Sequence, residues 1–198
     1  GDRAYGLVGG GGLADRVAVH ERCVVPVPSH LDAREIAAIP EVFITAHDAV
    51  ATQAGLRPGD TLLVHGAAGG VGSAAVQIGV ASGATVIGVS RHAEGRAAIE
   101  SWGATAIDAE GWVELVHALQ LDLMTKRATV FGTTLRARPL EEKVDAIQRF
   151  HRELGPLFAS GRLVPVIDRS YPWLEAADAL ARMEGAGKIG KVLLDFAS

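Results

Sequence analysis

Gly66, Gly69 and Gly72 recur at every third position of the run Gly66-Ala67-Ala68-Gly69-Gly70-Val71-Gly72, in which no side chain is larger than valine. Backbone without bulky side chains can close on a pyrophosphate, and a helix that starts there turns its positive end toward that charge. The spacing departs from G-x-G-x-x-G, because Ala68 stands where the second glycine usually falls. A tight turn alone would also use these glycines, so the flanks decide. Thr61 to Val64 is an apolar, branched run of strand length, and Ser73 to Ser82 has a helix pattern with Ala75, Val76, Ile78 and Gly79 on one face. Ala84 to Val89 follows at the distance a right-handed βαβ crossover needs. Strand, small-residue turn, helix and strand together predict a dinucleotide-binding unit, with Gly69, Gly70 and Val71 at the pyrophosphate.

The end of the second strand bears on which dinucleotide. A carboxylate there holds ribose hydroxyls and repels a 2′-phosphate. This chain reads Val89-Ser90-Arg91-His92, with no carboxylate before Glu94. A guanidinium can bind phosphate through two parallel charge-assisted bonds. Arg91 is therefore the expected 2′-phosphate ligand, with Ser90 beside it and Arg96 as the alternative, and NADPH is the expected cofactor.

Elsewhere the composition mostly excludes. Of 198 residues, 48% are hydrophobic and 21% charged, which suits a packed core rather than wholesale disorder. A net charge of −4 gives no footprint for nucleic acid or an anionic membrane. The one cysteine, Cys23, excludes an internal disulfide and reads as a small buried hydrophobe. Thr61 to Ser90 has no Asp, Glu, Lys or Arg, yet its seven glycines argue for a buried βαβ unit over a membrane span. A cytoplasmic protein is expected.

Along the chain, Ala4 to Val8 and Leu13 to Val19 read as strands, Cys23 to Pro28 as extended, and Ser29 as a helix cap. Two helices broken at Pro40 fill residues 29–55, the second running from Val42 to Gln53. A third strand is expected near Ala106-Ile107, another at Arg127 to Gly132, and an amphipathic helix at Leu140 to Leu154. Leu163 to Ile167 reads as a peripheral strand, Trp173 to Met183 as a helix, and Val192 to Leu194 as a last strand.

The blocks VPVPSHLDAREIAAIPEVFITAHDAV, GLRPGDTLLVHGAAGGVGSAAVQIG, FGTTLRARPLEEK, GRLVPVIDR and MEGAGKIGKVLL resemble zinc-independent quinone oxidoreductases. These belong to the medium-chain dehydrogenases/reductases, and the p53-inducible quinone reductase branch is the nearest. The resemblance implies an α/β fold, a Rossmann doubly wound parallel sheet joined to the remainder of a GroES-like β-rich catalytic domain. It divides the chain into a partial catalytic domain (1–45), an NADPH-binding domain (46–165) and a C-terminal return with a closing strand (166–198). It also implies that more of the catalytic domain precedes Gly1, and that a block is missing between Val116 and His117. Only 22 residues separate Ile107 from Val130, too few for a further βαβα unit.

The same resemblance assigns residues. Thr45 falls beside the nicotinamide, Phe131, Gly132 and Thr133 line its other side, and Lys191 matches a lysine on the cofactor side. A cofactor tyrosine of relatives is replaced by Ala109. His47 reads as structural, no catalytic residue is assigned because hydride transfer needs no nucleophile, and no metal is expected. The implied activity is hydride transfer from NADPH to a quinone or enone by a homodimer. An enoyl-thioester reductase, or an NADPH-binding sensor or structural protein with little turnover, is the alternative.

Overall fold

The computed structural model describes residues 1–110 and 133–196. At its centre three parallel strands, β3 (Thr61–His65), β4 (Thr85–Val89) and β5 (Thr105–Ile107), lie side by side in that order. Helices α3 (Gly70–Ala81) and α4 (Ala93–Ser101) make the crossovers. The long charge-free stretch is explained by how closely these layers meet. A Cβ on Gly79 would come within 2.8 Å of Leu62 and Val86, and one on Gly88 within 2.7 Å of Ile99. Ala74, Val76 and Ile78 are sealed between helix and neighbouring layers.

Helix α3 starts three residues earlier than its pattern suggests, at Gly70, because the small residues of the turn already adopt helical geometry. The N-terminal part forms an antiparallel pair, β1 (Ala4–Gly6) and β2 (Val24–Pro26), with Tyr5 opposite Val25. The strand expected over Leu13 to Val19 does not form. Leu13 and Val17 are exposed there, so the alternation has no buried face to satisfy. The cap of α1 (Ala33–Ala37) is Asp32 rather than Ser29, because Asp32 and Glu35 exchange side-chain and backbone bonds at 2.8 Å in a capping box. Helix α2 (Pro40–His47) carries Pro40 in its first turn, where a missing N–H costs nothing, and continues as a π-helical turn over Asp48–Gln53.

Helix α5 (Leu140–Ala159) outruns its expected end at Leu154, because Phe158 extends the buried stripe of Val144, Ile147, Phe150 and Leu154. The Phe158 ring packs edge-on against Phe43 of α2 at 4.8 Å, and Tyr5 meets Phe150 at 6.5 Å. Burial pushes the Tyr5 hydroxyl up to about 12. The strand expected at Leu163 to Ile167 is displaced to β6 (Ile167–Pro172), parallel to β7 (Lys191–Asp195). Gln77 takes Val164 out of any ladder: its amide donates to the Val164 carbonyl at 3.0 Å and accepts from the Val164 N–H at 2.9 Å. A single turn at Trp173–Glu175 leads into α6 (Ala176–Glu184). The strand expected at Arg127 to Gly132 and the junction of Val116 with His117 lie outside the described residues. Among those described, no helix is long and apolar enough to cross a membrane.

Two adjacent buried polar residues tie the end of α2 to the C-terminal half of the chain. His47 is 2% exposed, and its Nε2 meets Glu153 of α5 at 2.8 Å. Burial lowers its pKa despite the carboxylate, so the neutral ring donates a hydrogen bond. Asp48, also 2% exposed, takes both Arg138 nitrogens at 3.0 and 2.6 Å and the Thr133 hydroxyl at 2.9 Å. Burial alone would raise the Asp48 carboxyl, but the Arg138 and Thr133 hydrogen bonds outweigh it and hold the group below the usual carboxylate range. With the folded value depressed, the pair's stabilisation is present above the unfolded Asp value of about 3.9 and is lost as pH falls through the folded value. Asp48→Asn leaves the Arg138 charge only the exposed Glu142 carboxylate at 3.9 Å and should cost about 3 kcal/mol near neutral pH. In urea unfolding the gap between wild type and variant should shrink as pH falls below the unfolded Asp value of about 3.9 toward the depressed folded value. A gap independent of pH would show that Asp48 is not carrying its charge in the fold.

Candidate active site

Each glycine of the turn has its own reason. Gly66 sits at φ +62°, a left-handed conformation that side chains disfavour. A Cβ on Gly72 would run into the Gly66 carbonyl and the Ala67 Cα, so this glycine lets the first turn of α3 lie against the loop. Gly69 is the N-cap of α3 and offers no side chain to its amides, which leaves that end open to an anion. Gly70 has a different neighbour. Its missing Cβ makes room for Val42 at 2.9 Å and the Lys191 stem at 3.1 Å, where α2 and β7 close on the helix start. Val71 is 38% exposed on the first helical turn.

A cavity of about 340 Å³ opens beside this turn. Gly66, Ala68 and Gly69 line one side, and Ser90, Arg91 and His92 another. Of the residues expected at the phosphates, Gly69, Ser90 and Arg91 share this space, whereas Gly70 and Val71 do not line it. Arg91 is exposed, and its guanidinium has no hydrogen-bond or ion-pair partner among the described residues. Arg96, the alternative ligand, is engaged elsewhere: its Nη1 donates to the carbonyls of Ser90 and Arg91 and to Asp108. Ala109 lines the same cavity. The far wall, Met183 and Gly185 to Lys188, is not foreseen from sequence; its only signal is a basic residue in a glycine-rich loop.

A second cavity of about 380 Å³ is lined by Leu7 and Val8, by Glu41 and Thr45, and by Thr133, Thr134, Leu135 and Arg136. It brings Thr45 and Thr133 together, from α2 and from the segment before α5. The Thr45 hydroxyl donates to the Glu41 carbonyl at 2.6 Å, and the Lys191 ammonium pairs with the Glu41 carboxylate at 2.8 Å. The start of α3 links the two cavities: Gly69 lines the first, and Gly70 packs on Lys191, whose partner lines the second. Phe131 and Gly132 lie outside the described residues. Among those described, no group of three or more His, Cys, Asp or Glu could hold a metal ion.

The sequence and the fold resemble those of known proteins. Residues 63–194 match a family model described as zinc-binding dehydrogenase. The human quinone oxidoreductase is 28% identical over 231 residues, covering 93% of this chain and 69% of that protein. Because the aligned length exceeds the whole of this chain, several tens of human residues have no counterpart here. The crystallised quinone oxidoreductase of Thermus thermophilus, described together with its NADPH complex, superposes with a TM-score of 0.88 at 28% identity, over 99% of this chain and 77% of that one. The JamJ enoyl reductase in its apo form shares the fold, with a TM-score of 0.71 at 18% identity over 88% of this chain and 66% of that one. The chain belongs to the zinc-binding dehydrogenase family, as a quinone oxidoreductase-like member of the medium-chain dehydrogenases/reductases.

Proposed function

We propose that the protein transfers a hydride from NADPH to a quinone or a related enone. The observation that carries this reading is Arg91, an exposed guanidinium without a partner among the described residues, in one cavity with the glycine turn. The cavity fits the dinucleotide's phosphates on two counts. A side chain at Gly72 would collapse the turn, and the space holds no aspartate or glutamate among its described lining. In this reading Gly69, Gly70 and Val71 bind the pyrophosphate, and Ser90 and Arg91 bind the 2′-phosphate. Thr45 and Thr133, with Phe131 and Gly132, flank the nicotinamide, and Lys191 braces that side through Glu41. NADPH, when bound, supplies the hydride; the second cavity aligns the acceptor and keeps bulk water from its reacting face. The proton comes from solvent, so no side chain need be a general acid.

The similarity to an enoyl reductase gives the second reading, reduction of an enoyl thioester in the same site. NADPH oxidation should be faster with small quinones than with enoyl thioesters. The reverse order would move the assignment to the thioester class, and cofactor binding with no oxidation by either would favour a sensor. Arg91→Ala should weaken NADPH binding about tenfold, the low end for a charge-assisted bond because the residue is exposed, while NADH affinity stays within about twofold. Equal losses for both cofactors would remove Arg91 from the phosphate. We also propose a homodimer free of structural or catalytic zinc. Light scattering should give twice the chain mass and elemental analysis far less than one zinc per chain; a monomer, or stoichiometric zinc, would refute the respective half.

A further inference from the structure

The second cavity contains one charge that nothing among the described residues neutralises. Glu41 is matched by Lys191 at 2.8 Å, and Asp48, behind the wall, by Arg138 at 2.6 Å. Arg136 lines the same cavity, is exposed, and has no hydrogen-bond or ion-pair partner among the described residues.

Its position is built rather than loose. Arg136 occupies the first central place of the turn Leu135 to Arg138, which is closed by the Arg138 N–H donating to the Leu135 carbonyl at 3.2 Å. Leu135, 6% exposed, plugs the core beneath. On either side, Thr133 and Arg138 bond the same buried Asp48 carboxylate, and the Arg138 Nη2 also donates to the Thr133 hydroxyl at 2.6 Å. Two residues flanking Arg136 are thus clamped to one buried anion, which fixes the backbone that carries Arg136 at the cavity's edge. The remaining lining is apolar at Leu7 and Val8 and hydroxylic at Thr45, Thr133 and Thr134. That is a slot for a flat or hydrocarbon body, hydrogen-bonded at a carbonyl, with an unpaired cation at one margin.

We propose that Arg136 receives an anionic group of the hydride acceptor, so that conjugated carbonyl compounds bearing a carboxylate or phosphate are preferred over neutral ones. This rests on the proposed reductase reading, in which the cavity beside Thr45 holds the acceptor. Its test does not depend on turnover. Calorimetric titration of the NADPH-loaded protein with 2-naphthoate and with neutral 2-naphthamide should show naphthoate binding about tenfold more tightly. That preference should shrink in about 1 M salt, where charges are screened beyond about 3 Å. In Arg136→Ala the ratio should collapse to within about twofold, Arg136→Lys should keep part of it, and NADPH affinity should not change. Displacement of naphthoate by 4′-phosphopantetheine would place the anion on a thioester's carrier arm; no displacement would place it on the acceptor itself. Equal affinity for the two naphthalenes in wild type, or a preference that survives Arg136→Ala, would overturn the assignment, as would loss of NADPH binding in that variant, which would make Arg136 a cofactor residue. If naphthoate binds selectively but no carbonyl compound is reduced, the reductase reading fails and the anion site stands.

Discussion

The start of α3 must be approached from every side at once, and its side chains have been removed to allow it. The loop folds back on the first helical turn at Gly72, α2 and β7 press on Gly70, and the N-cap Gly69 keeps the helix end bare. A methyl group at Gly70 would meet Val42 and the Lys191 stem, and one at Gly72 the Gly66 carbonyl and the Ala67 Cα. The glycine run therefore meets two demands together. It leaves the helix end bare, as the proposed phosphate site requires, and it lets the C-terminal strand and α2 close on the start of the helix. The parallel bridge between Gly69 and Gly190, with the Gly190 N–H donating to the Ala68 carbonyl at 2.9 Å, fixes the same junction through the backbone.

On the other side of the site the constraint is electrostatic. Burying Asp48 is costly, and a guanidinium with a hydroxyl satisfies both of its oxygens where it sits. Those partners come from the segment that leads into α5, so the carboxylate fixes the path of that segment between Thr133 and Arg138. His47, one residue earlier, reaches the same long helix through Glu153. Adjacent residues at the end of α2 thus anchor two points of a distant stretch. Thr45, only three residues before Asp48, faces the cavity that they frame.

Much of this is legible in the chain. The βαβ unit can be read because periodicity, absence of charge and turn composition agree over Thr61 to Val89, and local agreement of that kind is what specifies a fold. Arg91 stands out as a candidate because a missing carboxylate is visible in sequence. Leu13 to Val19 misleads because alternation predicts a strand only where one face is buried, and no layer covers it among the described residues. Leu163 to Ile167 misleads for the opposite reason: Gln77, 87 positions earlier, claims the backbone of Val164 that a strand would have used. The Asp48–Arg138 pair spans 90 positions and follows no local period, so no pattern in one sequence could announce it.

The two arginines of Leu135-Arg136-Ala137-Arg138 show how far composition falls short of function. By type they are equivalent, and nothing in their local sequence tells one solvated charge near a helix start from the other. The fold separates them by one fact, a buried carboxylate that bonds the guanidinium of Arg138 and not that of Arg136. Arg138 becomes structural because its charge is used up at Asp48. Arg136, two places away and held in its turn by that very contact, keeps its charge for whatever enters the cavity. A residue's availability for chemistry is decided here by which of its neighbours has already been satisfied.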